Sequence, residues 1–136
     1  IDHMPAQHPS RTFYISLFRQ MMKKISKLQD KQGFWHSSLL DTISYPMPEA
    51  SASGFFTYSL FWGLNHGYLE KEEYLPIAEK AWNALVSVVH EDGKIGYVQP
   101  IGADPKKVDM NDTEVYGTGA FLLAATEYVK YLKHTK

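Results

Sequence analysis

The stretch "SASGFFTYSLFWGLNH", residues 51–66, contains no Asp, Glu, Lys or Arg. Its phenylalanine, tyrosine, leucine and tryptophan residues fall on every side of a helical projection and do not form a single stripe. A helix that is apolar all round is buried on all sides. We therefore predict a buried helix over 51–66, and the rest of the chain must supply its neighbours.

A second buried helix is predicted near the C-terminus, over about 118–132. It carries the apolar run from Phe121 to Ala125. Amphipathic helices are predicted over 11–30 and 72–89, because apolar residues recur there at helical spacing on one face. The two apolar faces consist of Tyr14, Phe18, Met21, Ile25 and Leu28 in the first helix, and of Tyr74, Ala78, Ala81, Leu85 and Val88 in the second.

This order of elements repeats with an offset of sixty residues, at which the two amphipathic faces superimpose. At this offset Gly33 corresponds to Gly93, and each glycine is predicted to end the amphipathic helix that precedes it. Each glycine opens a long loop, 33–50 or 93–112, which leads into the N-terminus of a buried helix. The alternation is typical of a double ring of helices, with the amphipathic helices outside and the apolar ones inside. We therefore predict an all-α fold of two helical hairpins that form part of a toroid, with both long loops on one rim.

An ordinary four-helix bundle with two long loops is the alternative to the toroid. This bundle does not account for the two loops, because loops longer than about 15 residues are uncommon in compact domains unless they have a function. The toroid accounts for them, because such folds bind ligands at the end of the ring where the long loops gather.

Length and composition exclude several classes of protein. The chain of 136 residues is long enough for one domain with a core, and we treat 1–136 as a single unit. A net charge of −1 without a basic stripe argues against a nucleic-acid partner. No apolar run reaches membrane-spanning length, and the absence of cysteine excludes disulfides and cysteine-bound zinc without fixing the compartment. Because the first residue is Ile1, we expect the chain to be a piece of something longer.

The loops carry aromatic residues in places that suit sugar binding. Trp35 and Tyr97 lie at matched places just after the two amphipathic helices, and flat aromatic faces at a pocket mouth pack against the C–H faces of sugar rings. The alternative is that both side chains cap the core, as half-buried Trp and Tyr residues often do. His36, next to Trp35, is the only one of the six histidines in a suggestive position.

The starts of the two buried helices are polar. Glu49, Ser51 and Ser53 open the first, and Thr113, Glu114 and Tyr116 belong to the start of the second. These residues either cap the helices or form the floor of a polar pocket. Five loop carboxylates could supply the acid pair of a glycoside hydrolase: Asp41, Glu49, Asp109, Asp112 and Glu114. No metal-ligand spacing, phosphate-binding glycine motif or nucleophile elbow is present, so no metal or other cofactor is predicted.

Four segments occur in an order that resembles the C-terminal part of glycoside hydrolase family 105, the unsaturated rhamnogalacturonyl and glucuronyl hydrolases. They are "QDKQGFWHSSLLD" (29–41), "PEASASGFFTYSLFWGLNHGYL" (48–69), "DGKIGYVQPIGADP" (92–105) and "TEVYGTGAFLLAATEYV" (113–129). The resemblance implies an (α/α)6 toroid, of which this chain holds two hairpins. It also implies removal of a Δ4,5-unsaturated uronic acid from pectin-derived rhamnogalacturonan oligosaccharides, by acid-assisted hydration of the double bond.

The resemblance also assigns site residues. It implies that the substrate is bound by Trp35, His36, Ser51, Ser53, Tyr97, Thr113, Glu114 and Tyr116. The chain departs from the family at Ala50, where Thr or Ser is usual. The family's catalytic aspartate and its Arg-Gly-Asn-Gly-Trp motif are not in these residues, so no catalytic residue is assigned and we expect the chain alone to be inactive.

A partial toroid should leave apolar side chains uncovered. Parts of Phe55, Phe56, Phe61, Trp62 and the run 121–125 should be exposed. This predicts self-association, a complementing N-terminal segment or a local rearrangement that covers the patch. The other functional hypothesis is a non-catalytic carbohydrate-binding or interaction module, and a third is a helical bundle without a ligand. The family resemblance makes the bacterial cytoplasm or periplasm usual, but the sequence does not decide the compartment.

Overall fold

A computed structural model describes residues 1–134 and contains the four predicted helices. They are α1 (Arg11–Ser26), α2 (Ala50–Asn65), α3 (Lys71–Ser87) and α4 (Val115–His134). The described residues contain no strand, only two isolated bridges, between His36 and Pro48 and between Val89 and Ile95. No described helix has the length and apolar character needed to cross a membrane. The prediction of an all-α chain of two helical hairpins is confirmed.

Helix α2 is the centre of the molecule and contacts the three other helices, α4 most extensively. Phe61 on α2 is completely buried, and its ring lies 4.7 Å from that of Tyr128 and 5.9 Å from that of Tyr131 on α4. The two helices approach closely where Gly54 faces Ala120, since a Cβ at Gly54 would lie only 2.8 Å from the Ala120 Cβ. The uncharged sequence of α2 thus corresponds to its central position.

The outer helices bury their predicted faces to different extents. All five residues predicted for the α3 face are buried. On α1 the prediction is wrong for Tyr14 and Met21, which are 44% and 51% exposed, whereas Met22 is buried. Helix α1 contacts α2 over a small area, and only a narrow strip around Phe18, Met22 and Ile25 joins the core.

The sixty-residue repeat is visible in the backbone hydrogen bonds. The same two bonds form in each hairpin: Asp30 N to Phe34 O and Gly33 N to Asp30 O in the first, His90 N to Lys94 O and Gly93 N to His90 O in the second. Gly33 and Gly93 both have positive φ, at 107° and 85°. In this register Trp35 corresponds to Ile95, and both side chains are completely buried. The predicted match between Trp35 and Tyr97 is therefore wrong by two residues.

Apolar side chains remain exposed on two faces. Phe55 on α2 and Leu122 and Leu123 on α4 are 46%, 58% and 44% exposed, as the partial toroid predicts. The prediction is wrong for Phe61 and Trp62, which are buried because rings on α4 and α1 cover them. A further face on α1 was not predicted, and it consists of Phe13, Tyr14, Leu17 and Met21.

We expect the isolated chain to associate in solution through these faces, because apolar patches of several hundred Å² are uncommon on monomers. Light scattering at rising protein concentration should show a mass above that of one chain. Leu17→Lys should shift the mass toward that of one chain, whereas Thr12→Lys, which adds the same charge at an exposed polar site on α1, should not. A wild-type monomer at all concentrations would contradict this expectation.

Candidate functional site

The two long loops meet at the N-terminus of α2. The backbone amide of Glu49 donates to the Trp35 carbonyl of the first loop at 2.9 Å. The next amide, that of Ala50, donates to the Tyr97 carbonyl of the second loop, also at 2.9 Å. Successive residues of the chain therefore bind both loops at the start of α2, and the predicted common rim is present.

The Glu49 side chain connects the same parts a second time. It is the N-cap of α2, and only 5% of the residue is exposed. Its carboxylate accepts hydrogen bonds from the Ser51 amide (3.2 Å), the Ser51 hydroxyl (2.9 Å) and the Ala52 amide. It also accepts a hydrogen bond from the backbone amide of Gln99, in the second loop, at 3.2 Å. The expected capping role is confirmed for Glu49, and the negative charge lies at the positive end of the helix dipole.

An open groove of about 520 Å³ lies above this junction. Its polar wall includes residues of both loops: His36, Ser37, Glu49, Ser51 and Gln99. Its apolar wall includes Leu39, Ala52, Phe56 and Pro100. Apolar surface combined with a few convergent polar groups is the usual composition of a small-molecule site.

His36 is held rigidly at the edge of this groove. Its Nδ1 atom lies 3.2 Å from the Tyr45 carbonyl oxygen, and its Nε2 atom lies 3.1 Å from Asp30 Oδ2. The His36 side chain is only 10% exposed. The ring orientation is thus fixed from both sides, which is how a binding residue is positioned in advance of its ligand.

Trp35 does not face the groove, contrary to the prediction. Its ring is completely buried, its indole N–H donates to the Ile25 carbonyl at 2.7 Å, and it packs edge-on against Phe56 at 5.3 Å. Ser53 is also completely buried, because its hydroxyl accepts from the Trp35 amide and donates to the Glu49 carbonyl. Both residues pack in the core beneath the groove wall, so we no longer propose that they contact a ligand.

The second loop contributes differently from the prediction. Tyr97 adopts a positive φ of 58° and borders a different depression, beside Phe34 and Val88. Thr113 and Glu114 lie half-buried before α4 and do not line the groove. Tyr116 acts indirectly, because its hydroxyl donates to the Gln99 carbonyl. Burial, and then the charges of Glu114 and Glu49, raise the pKa of the Tyr116 phenol, which keeps it protonated as a donor.

The structure therefore brings two of the eight predicted residues, His36 and Ser51, to the groove. Sequence analysis missed Phe56 and Gln99 as site residues. The only signal for Gln99 was its position in "QPIGADP", within the segment that resembles the family.

The loop carboxylates hold turns together. Hydrogen bonds from the Ser44 amide and hydroxyl lower the pKa of Asp41, which is a poor property for an acid catalyst at neutral pH. Asp112 accepts from the Asp109 amide at 2.8 Å, and Asp109 accepts from the Asn111 amide at 2.7 Å. Within residues 1–134 no group of three His, Asp or Glu side chains is placed to hold a metal ion.

Comparison with known proteins identifies the family. The sequence model described as Glycosyl Hydrolase Family 88 matches residues 1–132. The chain belongs to this family. A curated protein of Formosa agariphila, named unsaturated 3S-rhamnoglycuronyl hydrolase, is 45% identical over 130 residues, which are 96% of this chain and 34% of that protein. The chain thus spans about a third of this curated relative.

Solved structures confirm the fold. A family 88 glycosyl hydrolase from Bacteroides vulgatus superimposes with a TM-score of 0.92 at 43% identity, covering 96% of this chain and 38% of that one. A structure named as a polysaccharide lyase gives a TM-score of 0.91 at 46% identity, covering 97% and 38%. A possible member of family 105 from Salmonella enterica serovar Paratyphi A gives 0.80 at 25% identity, covering 95% and 35%. The predicted resemblance is confirmed, and the two hairpins match part of the helical toroid of these families.

We predict that Trp35→Ala acts on stability. Losing a fully buried indole should lower the free energy of unfolding by about 3–5 kcal/mol. Phe13→Ala, at a ring that is 62% exposed, should change it by less than about 0.5 kcal/mol. Urea unfolding followed by circular dichroism measures both variants. A cost below about 1 kcal/mol for Trp35→Ala would place the indole outside the core.

Glu49→Gln should also destabilise the chain, by about 1–3 kcal/mol, because an amide leaves buried N–H donors without an acceptor. Glu70→Gln is a matched control, since Glu70 is the N-cap of α3 and its side chain forms no capping hydrogen bond. We expect the control to change the free energy of unfolding by less than about 0.5 kcal/mol. Equal effects of the two substitutions would contradict the special role of Glu49.

Proposed function

We propose that this chain forms one wall of the sugar site of an unsaturated glycuronyl hydrolase. The observation that carries the proposal is the groove at the N-terminus of α2, where polar and apolar side chains of both rim loops converge. Membership of a glycosyl hydrolase family supports it, and so do the names of the curated relatives.

The groove suits a sugar ring for a physical reason. Phe56 and Leu39 offer apolar surface to the C–H face of a sugar, and Trp35 fixes the Phe56 ring from behind. Ser51 offers its hydroxyl oxygen as an acceptor at the edge, and the His36 ring, whose two nitrogens are already bonded to Tyr45 and Asp30, forms the adjoining part of the wall. Because Glu49 already accepts hydrogen bonds from Ser51, Ala52 and Gln99, it acts as a positioning residue that holds the groove in shape.

The bound sugar in this proposal is a terminal Δ4,5-unsaturated uronic acid joined to rhamnose. Two curated proteins are named unsaturated 3S-rhamnoglycuronyl hydrolases, and a third, 32% identical over 91 residues, is named an unsaturated rhamnogalacturonyl hydrolase. The reaction would be acid-assisted hydration. A carboxylic acid protonates the vinyl ether double bond, water adds to the resulting cation, and the hydrated sugar opens and releases the shortened oligosaccharide.

The catalytic acid, in this proposal, is supplied from outside these residues. Asp41 has a lowered pKa, and Glu49 is committed to capping α2. Losing a general acid typically costs a factor of about 10² to 10⁴ in rate. The chain alone would therefore bind the sugar without turning it over. The unsuitability of Asp41 and Glu49 as catalytic acids also favours the second candidate function, a non-catalytic carbohydrate-binding module.

We expect the isolated chain to bind an unsaturated rhamnoglycuronyl disaccharide without consuming its double bond. Nuclear magnetic resonance titration should shift the amide signals of Ser37, Ser51 and Phe56, and the ultraviolet absorbance of the double bond should persist. Phe56→Ala should weaken binding by about 1–3 kcal/mol, the scale of a lost aromatic contact, whereas Phe13→Ala should not.

Two outcomes would contradict this proposal. Turnover at the rate of an ordinary glycosidase would show that the acid lies on this chain. Shifts confined to residues away from the groove would show that the sugar binds elsewhere.

A further inference from the structure

The outer part of the first rim loop, residues 37–47, is joined to the rest of the described chain, 1–134, by one hydrogen bond. It runs from His36 Nδ1 to the Tyr45 carbonyl, at 3.2 Å. The other hydrogen bonds of the segment join its own residues, as from the Tyr45 amide to the Asp41 carbonyl. Most of the segment is exposed, and Leu39 is its residue that packs against the core. The position of the segment therefore depends on the His36 ring.

Both nitrogens of the His36 ring face oxygen atoms that only accept hydrogen bonds. The Tyr45 carbonyl has no proton to donate, so the bond to it needs a proton on Nδ1. Nε2 lies 3.1 Å from Oδ2 of Asp30, and a carboxylate is also an acceptor only. A neutral imidazole carries one N–H group and can donate to one of these oxygens. The charged imidazolium can donate to both.

The proton between His36 and Asp30 belongs on the ring. The second oxygen of Asp30, Oδ1, accepts from the backbone amides of Gly33 at 2.7 Å and Phe34 at 2.9 Å. Hydrogen bonds from two N–H donors favour the charged form of a carboxylate. The two side chains are 10% and 17% exposed, so salt screens this ion pair less than it screens a pair at the surface.

Asp30 is the main source of this preference for a charged ring. The other charged or titratable groups around the ring are Lys27 and Lys31 near the end of α1, Lys80 on α3, Glu49 and Asp104 in the groove, and the Tyr45 phenol on the loop itself. The Lys80 ammonium donates to the Asp30 carbonyl at 2.7 Å. Within residues 1–134, Asp30 is the one carboxylate at ion-pair distance from the His36 ring.

We propose that Asp30, His36 and the Tyr45 carbonyl form a proton-dependent latch on the first rim loop. With the ring charged, both bonds form, and residues 37–47 are held in place beside the groove, whose wall includes Ser37. When the ring loses a proton, either the Tyr45 carbonyl loses its donor or the lone pair of Nε2 faces the Asp30 carboxylate. Both results loosen the segment.

The direction of the pH dependence follows from the same geometry. Forming the latch takes up a proton, so its contribution to stability is present at acid pH and is lost as the pH rises. The change falls near neutral pH, where histidine is the side chain that changes charge. The latch needs no particular ligand, so it goes beyond the proposed function of the groove.

Nuclear magnetic resonance of the full chain tests the latch at both of its ends. At about pH 5.5, both ring nitrogens of His36 should give the ¹⁵N shifts of N–H groups, and the Tyr45 carbonyl should give the ¹³C shift of a bonded group. As the pH is raised to about 8.5, both signals should change together. The ratio of latched to open loop should fall about 10-fold, the scale of one hydrogen bond to a charged group. A Tyr45 carbonyl signal that stays constant while the His36 ring titrates would overturn the proposal.

Asp30→Asn separates a proton-dependent latch from a purely structural contact. The asparagine oxygen can keep the bonds from the Gly33 and Phe34 amides, while its N–H group donates to Nε2 of a neutral ring. Nδ1 then keeps its proton for the Tyr45 carbonyl. The loop of this variant should therefore be latched at high pH and loosened when the ring becomes charged, which is the reverse of the wild-type order. The wild-type pH profile in this variant would contradict the latch.

Asp92→Asn is the matched control, because it removes the same charge from an exposed turn, where Asp92 pairs with Lys94 at 2.9 Å. It should keep the wild-type pH profile of the Tyr45 carbonyl. His36→Gln gives an independent result if Asp30→Asn does not fold. Since glutamine does not titrate, the Tyr45 carbonyl signal should then be constant from about pH 5.5 to 8.5, across the range in which histidine changes charge. A pH-dependent signal of wild-type size in His36→Gln would show that another group controls the loop.

Discussion

The carboxylate of Glu49 is the interaction on which the arrangement of the rim depends. It accepts hydrogen bonds from the first turn of α2 and from the Gln99 amide, while the neighbouring backbone amides hold the Trp35 and Tyr97 carbonyls. One buried charge thus fixes a helix start and two long loops. A carboxylate at this depth is stable only because several N–H and O–H groups and the helix dipole compensate for its lost hydration.

The groove between the two rim loops follows from this constraint. The loops lack regular structure, so contacts at the start of α2 set their relative position. Both loops that form the groove wall are hydrogen-bonded to Glu49. Trp35 and Ser53 support the first loop from the core, and Tyr116 supports the second through Gln99. The groups that line the groove, His36 and Ser51 among them, are therefore fixed in orientation, which would lower the entropic cost of binding a ligand there.

The helices and their order could be predicted from sequence, because the uncharged stretch of α2 and the apolar face of α3 leave few alternatives. The sixty-residue repeat could also be predicted, since Gly33 and Gly93 are needed at positive φ. The direction of the Trp35 ring could not. Its burial depends on the Ile25 carbonyl and the Ser53 hydroxyl, which are 10 and 18 residues away in sequence. Gln99 was missed for the same reason, since its partners Glu49 and Lys106 meet only in the folded chain.

Amide hydrogen exchange in the Glu49→Gln variant tests the central claim most directly, because it follows both loops at single residues. If one carboxylate holds the rim together, the backbone amides of Ala52 in α2, of the substituted residue 49 in the first loop and of Gln99 in the second should lose protection together. Amides in the middle of α3, such as that of Ala81, should keep theirs. Loss of protection in α2 alone, with the Gln99 amide unchanged, would show that the two loops are held independently and would contradict the account.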